Sequence, residues 1–216
     1  MVPMPIFSCV DQCIAILDTA LKTAFPSPHR DTTRANPADA IPENPLTLEQ
    51  KRHSAGLMRV NHAGEVSAQA LYQGQALTAN KTDVREHLQQ AAAEEMDHLD
   101  WCEKRLTELT SAPSLLNPLW YSASFIIGAL AGLAGDRISL GFLAETEEQV
   151  TRHLQSHLRI LPETDHKSRA IIKQMVIDEN DHALAAYAHG GAALPDTIRA
   201  VMRWGSKLLT KSSYYL

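Results

Sequence analysis

Two copies of one short pattern constrain this chain more than anything else in it: Glu95-Met96-Asp97-His98 and Glu179-Asn180-Asp181-His182. In each, a Glu and a His stand three residues apart, with an Asp just before the His. On a helix such positions share a face, so each copy aims a carboxylate and an imidazole at one point. A further Glu precedes each copy by one helix length, Glu65 and Glu147. The midpoint of 65 and 95 falls in Ala79-Asn80-Lys81-Thr82-Asp83, and that of 147 and 179 in Leu161-Pro162-Glu163-Thr164-Asp165. Both are turn-forming stretches. If each half is a helical hairpin, both members of a pair stand about 24 Å from the turn at 1.5 Å per residue. Two hairpins facing each other then surround one cavity with four Glu and two His, the donor set of a di-iron or di-manganese carboxylate bundle.

A lone Glu-x-x-His says little. The force lies in the duplication and in where the acids fall. The predicted stripes read Met58, Glu65, Ala68, Tyr72; Leu88, Ala91, Glu95, His98, Cys102, Leu106; Leu140, Leu143, Glu147, Val150, Leu154; and Ile172, Met175, Glu179, His182, Ala186. Each carboxylate interrupts an apolar stripe, where a charge costs several kcal/mol unless a partner neutralises it. Four converging carboxylates cannot all ionise without cations. Two divalent ions resolve this, with carboxylate oxygen and imidazole nitrogen suited to iron or manganese. Glu95 and Glu179, each paired with a His, are the natural bridging ligands; Glu65 and Glu147 are then terminal. Asp97 and Asp181, about 100° round the helix, are placed to hold a ligand His from outside. Glu94 and Asp178 are expected to point aside, and His62 has no counterpart in the second half. The bland alternative is Glu–Lys patterning on solvated helices.

The rest of the chain frames this bundle. Residues 1–46 read as an amphipathic helix (Ile6, Val10, Cys13, Ile14, Leu17, Leu21, Phe25) followed by a stretch with five prolines, Pro26 to Pro45, taken as a linker or poorly ordered loop. Residues 47–216 form the bundle, opening on a capping box, Thr47-Leu48-Glu49-Gln50. Pro113 and Pro118 are expected to end helical structure after the second bundle helix. Residues 119–134 are uncharged throughout. They are too few to span a membrane comfortably, which takes about 20. They suit either a buried crossover helix or a hydrophobic face dipping into a bilayer with Trp120 and Tyr121 at headgroup level. Gly128 and Gly132 within them are spaced for close helix packing. A last helix from Pro195-Asp196 carries Arg199, Arg203, Lys207 and Lys211 on one stripe, a solvated face or one drawn to anionic lipid.

A net charge of −5 argues against nucleic-acid binding. The three cysteines, Cys9, Cys13 and Cys102, show no zinc spacing and suit free thiols in a reducing compartment. Met1 to Val10 lack the basic region of a signal peptide, so the reading is intracellular. No nucleophile–base triad, phosphate loop or nucleotide fingerprint appears.

Arg59-Val60-Asn61-His62-Ala63-Gly64-Glu65, the Glu95-x-Asp-His98 segment, Glu147-Glu148 and Asp178-Glu179-x-x-His182 together resemble the demethoxyubiquinone hydroxylase family of ubiquinone biosynthesis. The resemblance covers residues 47–216, with His-Ala-Gly-Glu its most specific part. It implies an all-α, ferritin-like four-helix bundle of two hairpins, with a long hydrophobic crossover helix and an additional C-terminal helix. The family's iron ligands fall on Glu65, Glu95, His98, Glu147, Glu179 and His182, the positions that the spacing selects. Asp181, where relatives carry Glu, is the departure. The implied activity is O2-dependent hydroxylation of a polyprenylated methoxy-methyl-benzoquinol (2-polyprenyl-3-methyl-6-methoxy-1,4-benzoquinol). It calls for two iron ions per chain, an external two-electron donor, a lipid quinol substrate and a membrane surface. Other ubiquinone-biosynthesis proteins are expected partners, and the location is the cytoplasmic side of the inner membrane. His153, two turns beyond Glu147, is a candidate for contact with the ring. The competing reading is a ferritin-like handler of iron or peroxide, which would need a polar outer face.

Overall fold

The computed structural model describes residues 9–26, 30 and 32–216. Among them stand seven helices and no strand: α1 Cys9–Ala24, α2 Leu48–Thr78, α3 Thr82–Glu108, α4 Asn117–Leu133, α5 Asp136–Ile160, α6 His166–Ala188 and α7 Asp196–Ser213. Residues 1–8, where the predicted first helix begins, lie outside the described residues.

Local chemistry sets the ends. Thr47 accepts from the Gln50 amide while the Gln50 side chain accepts from the Thr47 amide, so the capping box closes both ways at the start of α2. Asp165 caps α6 by accepting from the Ser168 amide at 3.1 Å. Gly190, at φ 96°, supplies the left-handed residue after α6. One boundary differs from the sequence reading. Pro118 does not stop a helix but sits in the first turn of α4. There its missing N–H has no intrahelical partner to lose, and its fixed φ suits the helix.

Helices α2 and α3 form one hairpin and α5 and α6 the other, with α4 crossing between them along α2. The apolar stripes build two separate clusters. One contains Met58, Leu106, Leu154 and Ile172; the other Tyr72, Leu88, Leu143 and Ala186. On each bundle helix the ligand-type residues lie between the two clusters: Glu65 between Met58 and Tyr72, Glu95 and His98 between Leu88 and Leu106, Glu147 between Leu143 and Leu154, Glu179 and His182 between Ile172 and Ala186. A polar layer therefore sits at one level of all four helices, walled by hydrocarbon above and below.

Helix α4 packs one side against α2 so closely that an added Cβ at Gly128 would overlap the Leu71 carbonyl, and one at Gly74 the Phe125 carbonyl. Its other side leaves Leu119, Ile126, Leu130 and Leu133 more than half exposed. In α7, Val201, Trp204 and Leu208 are likewise exposed. No helix among the described residues is long and apolar enough to cross a membrane. The basic stripe of α7 is shorter than its spacing suggests, because Arg199 donates to the buried Glu145 at 2.7 Å. Arg203, Lys207 and Lys211 remain exposed.

The described residues of the Pro-rich stretch carry no regular helix, yet they are bound to the bundle rather than loose. Arg30 pairs with Glu103 at 2.7 Å and Ala38 joins the first apolar cluster. Glu43 meets Arg105, a fully buried guanidinium also held by Asp165 and Ser168. These partners lie about 60 residues or more apart in sequence, so periodicity carries no trace of them.

Candidate metal centre

Six side chains from four helices meet in the polar layer, each of them buried. Glu65 comes from α2, Glu95 and His98 from α3, Glu147 from α5, and Glu179 and His182 from α6. Four of them, Glu65, Glu95, His98 and Glu179, offer donor atoms all within 4.8 Å of one another. His98 Nδ1 lies 3.1 Å from Glu95 Oε2, 3.1 Å from Glu179 Oε1 and 3.8 Å from Glu65 Oε2. His182 Nδ1 lies 3.1 Å from Glu95 Oε1 and 3.3 Å from Glu179 Oε2. Glu95 and Glu179 thus each turn one oxygen to each histidine. Glu147 completes the ring beside Glu179, its Oε1 accepting from the Tyr72 hydroxyl at 2.5 Å.

The electrostatics are those of a crowded acid site. Burial, reinforced by the charges of Glu95 and Glu179, pushes the carboxyls of both Glu65 and Glu147 well above the usual range. Burial also opposes the charge on Glu95, but the adjacent His98 and His182 outweigh it and hold that carboxyl well below its ordinary value. Glu179 goes the same way, with hydrogen bonds from the two imidazoles overcoming burial and the Glu95 charge. Both imidazoles rise despite their burial. Glu95 and the surrounding carboxylates raise His98, and Glu179 and Glu95 push His182 up to about 12. These shifts favour neutral Glu65 and Glu147 beside charged His98 and His182.

The fit to a cation pair can be tested on the oxygens. Glu147 Oε2 is buried and has no hydrogen-bond partner, while Glu95 Oε1 and Glu179 Oε1 are each met only by an imidazole nitrogen at 3.1 Å. A buried carboxylate oxygen without a partner is costly. These carboxylate oxygens, converging with two imidazole nitrogens, form an oxygen–nitrogen set suited to iron or manganese. The residues present fit the group.

The outer contacts differ from those read in the sequence. Asp97 is buried, but its oxygens accept from the Thr33 amide, the Thr33 hydroxyl and Arg34, not from His98. Asp181 is exposed. The outer nitrogens of the histidines are met instead by Asp178, 2.8 Å from His98 Nε2, and by Glu94, 2.9 Å from His182 Nε2. An imidazole pointing across the bundle reaches past its own helix, so its far nitrogen finds an acid of the opposite hairpin. The signal was in the chain: both halves carry an acid immediately before the ligand-type Glu, as Glu94-Glu95 and Asp178-Glu179. His62 stands apart from the cluster, buried against Glu103 and Asn117.

A cavity of about 490 Å³ opens beside this layer, between α2, α4, α5 and α7. Its wall is mostly apolar, with Leu71, Ile127, Val150, Val201 and Trp204, and Glu65 reaches it from the acid cluster. Asn61 and His153 also line it, and Asn61 Oδ1 and His153 Nε2 are buried polar atoms without a partner. Burial pulls the His153 imidazole down to about 4, so it is neutral at pH 7.

Residues 52–213 match the family described as "Ubiquinone biosynthesis protein COQ7". The chain belongs to this family. Among relatives, it is 57% identical over 209 residues to a 3-demethoxyubiquinol 3-hydroxylase of Legionella pneumophila (strain Paris), covering 97% of this chain and 98% of that one. It is 53% identical over 210 residues to a protein of the same name from Acinetobacter baylyi, covering 97% and 99%. Among solved structures, the bacterioferritin-related thioferritin of Bacteroides fragilis superposes with a TM-score of 0.54 at 17% identity, over 75% of this chain and 92% of that one. At that identity the likeness speaks for the fold alone: an all-α, ferritin-like bundle.

Proposed function

We propose that this chain performs the reaction its relatives are named for, using two iron ions held by Glu65, Glu95, His98, Glu147, Glu179 and His182. The observation that carries the proposal is the pair Glu95 and Glu179, each presenting one oxygen to each histidine, which is what ligands bridging two cations require. Glu65 then serves the His98 side and Glu147 the other. Iron held by these residues would supply the redox chemistry for using O2, with two electrons from an external donor. In balance, a ring C–H, O2, two electrons and two protons give a ring C–OH and water.

The chain's own residues supply the rest. Tyr72 holds Glu147 by donating to Oε1. Asp178 and Glu94 orient the two imidazoles so that Nδ1 faces inward. The apolar cavity excludes water and takes a polyprenylated quinol ring beside Glu65. Asn61 and His153, two of the unpartnered polar groups of that wall, hydrogen-bond the ring hydroxyls. The exposed apolar faces of α4 and α7, with Arg203, Lys207 and Lys211 nearby, rest on the cytoplasmic face of the inner membrane, from which a lipid-borne substrate enters. These faces also weigh against a storage cage, whose outside must be polar.

The test is direct. Cells lacking the gene should accumulate the demethoxy quinone, and purified protein with iron, a reductant and a short-chain quinol should place one atom of 18O2 in the product. Normal ubiquinone with altered iron tolerance would overturn the proposal.

A further inference from the structure

The two halves of the acid layer are alike within and unlike without. On the His98 side, Asp178 Oδ2 meets both His98 Nε2 and Arg34 Nη1, each at 2.8 Å. Arg34 Nε meets Asp97 Oδ2 at 2.9 Å, Nη2 lies 3.3 Å from His98 Nε2, and the guanidinium stacks 4.9 Å from the Trp101 ring. Thr33 adds two hydrogen bonds to Asp97. One fork from the N-terminal segment therefore ties together two acids of opposite hairpins over one histidine. On the His182 side, Glu94 is 38% exposed, and among the described residues its ion pair is with His182 alone. Arg34 also lies outside residues 52–213, the part of the chain matched to the family.

The geometry points to Arg34 as a positioning residue for His98, making the two cation positions inequivalent: one latched by the N-terminal segment, the other open to solvent past Glu94. The inference rests on the metal-site reading above. The planar fork matters more than the charge, because three separate partners are reached in fixed directions, which a lysine cannot reproduce. Charge is also balanced here, with Asp97, Asp178 and Arg34 summing to one negative charge, as Glu94 alone does on the other side. Removing Arg34 by itself would strand a buried carboxylate and risk the fold. Replacing Asp97 by Asn at the same time keeps the outer charge and removes only the latch.

Release of Co2+ to a chelator tests this without turnover. The wild-type protein should bind two Co2+ per chain and lose them in two equal phases. In Arg34→Ala/Asp97→Asn and in Arg34→Lys the slow phase should quicken by roughly 10- to 100-fold, the usual scale for losing a group that orients a ligand. The fast phase should hold its rate, and the visible bands of one Co2+ should shift. Glu94→Gln should alter only the fast phase. An unchanged slow phase in both Arg34 variants overturns the inference, as does an equal change of both phases with a lowered melting temperature, which marks general loosening. A folded wild-type chain that binds fewer than two Co2+ overturns the metal site itself.

Discussion

Loading the proposed centre with two divalent ions should be an exchange of cations for protons. Without cations, burial and the neighbouring charges favour the neutral form of Glu65 and Glu147, while the carboxylates around them favour the charged form of His98 and His182. Glu95 and Glu179 are held down and stay ionised. The six groups then sum to zero. Bound to two divalent ions they must present four carboxylates and two neutral imidazoles, which again sums to zero with the cations. The difference is two protons from the carboxyls and two from the imidazoles, so about four protons should leave per pair of ions at pH 6. Each cation's apparent affinity should then rise by roughly two decades per pH unit while these groups remain protonated. Calorimetric titration with Co2+ in buffers of differing ionisation enthalpy reads the proton number directly. Release of one proton or fewer per pair, or an affinity flat between pH 6 and 7, would refute the charge assignment.

Gly128→Ala should lower the melting temperature, because the new methyl meets the Leu71 carbonyl, a backbone atom that can move only with its helix. Overpacking of this kind costs roughly 1–3 kcal/mol, or a fall of roughly 5 °C in a chain this size. Gly205→Ala, where nothing lies within 4 Å, should hold or raise it, and equal effects at the two sites would discredit the packing argument. Acid should also loosen the fold through His157, whose imidazole is pulled down to about 3 by burial, then by His153 and His53. A folded pKa below the unfolded value of about 6.5 means the unfolded chain takes up the extra proton. Stability from this group is therefore complete above pH 6.5 and declines as pH falls toward 3, by about 2 kcal/mol at pH 5. Urea unfolding of wild type and His157→Gln at pH 7 and pH 5 checks this, since the wild type should lose more than the variant between them.

Much of the architecture was legible because it rests on local pattern. The four stripes, the turns near Asn80 and Glu163 and the capping box at Thr47 are each read within one helix or one turn. An acid in an apolar stripe shows itself wherever the helix is placed, which is why Glu65 and Glu147 stand out against Glu145 and Glu148. Glu145 illustrates the limit. It lies off the stripe yet is buried, because Arg199 of α7 covers it, and an arginine that reads as part of a solvated face is spent on an internal pair. Contacts between elements of unrelated register leave no periodic trace.

The same limit explains the outer acids of the centre. Placing Asp97 and Asp181 beside the histidines treats each helix as supporting its own ligands. An imidazole that must reach a shared centre extends away from its own backbone, so its outer nitrogen is served from the facing hairpin. The exchange is reciprocal, α6 giving Asp178 to His98 and α3 giving Glu94 to His182. Duplication within a chain predicts equal halves, and the six inner groups obey it. Around the outer nitrogens of the histidines, inequality enters with a segment that is not part of the repeat. Arg34 comes from the Pro-rich stretch, 144 residues from Asp178 in sequence, and with Thr33 it joins acids of both hairpins over His98 and not over His182. A repeat read from sequence thus describes what the two halves share, and what sets them apart is to be sought in chain outside it.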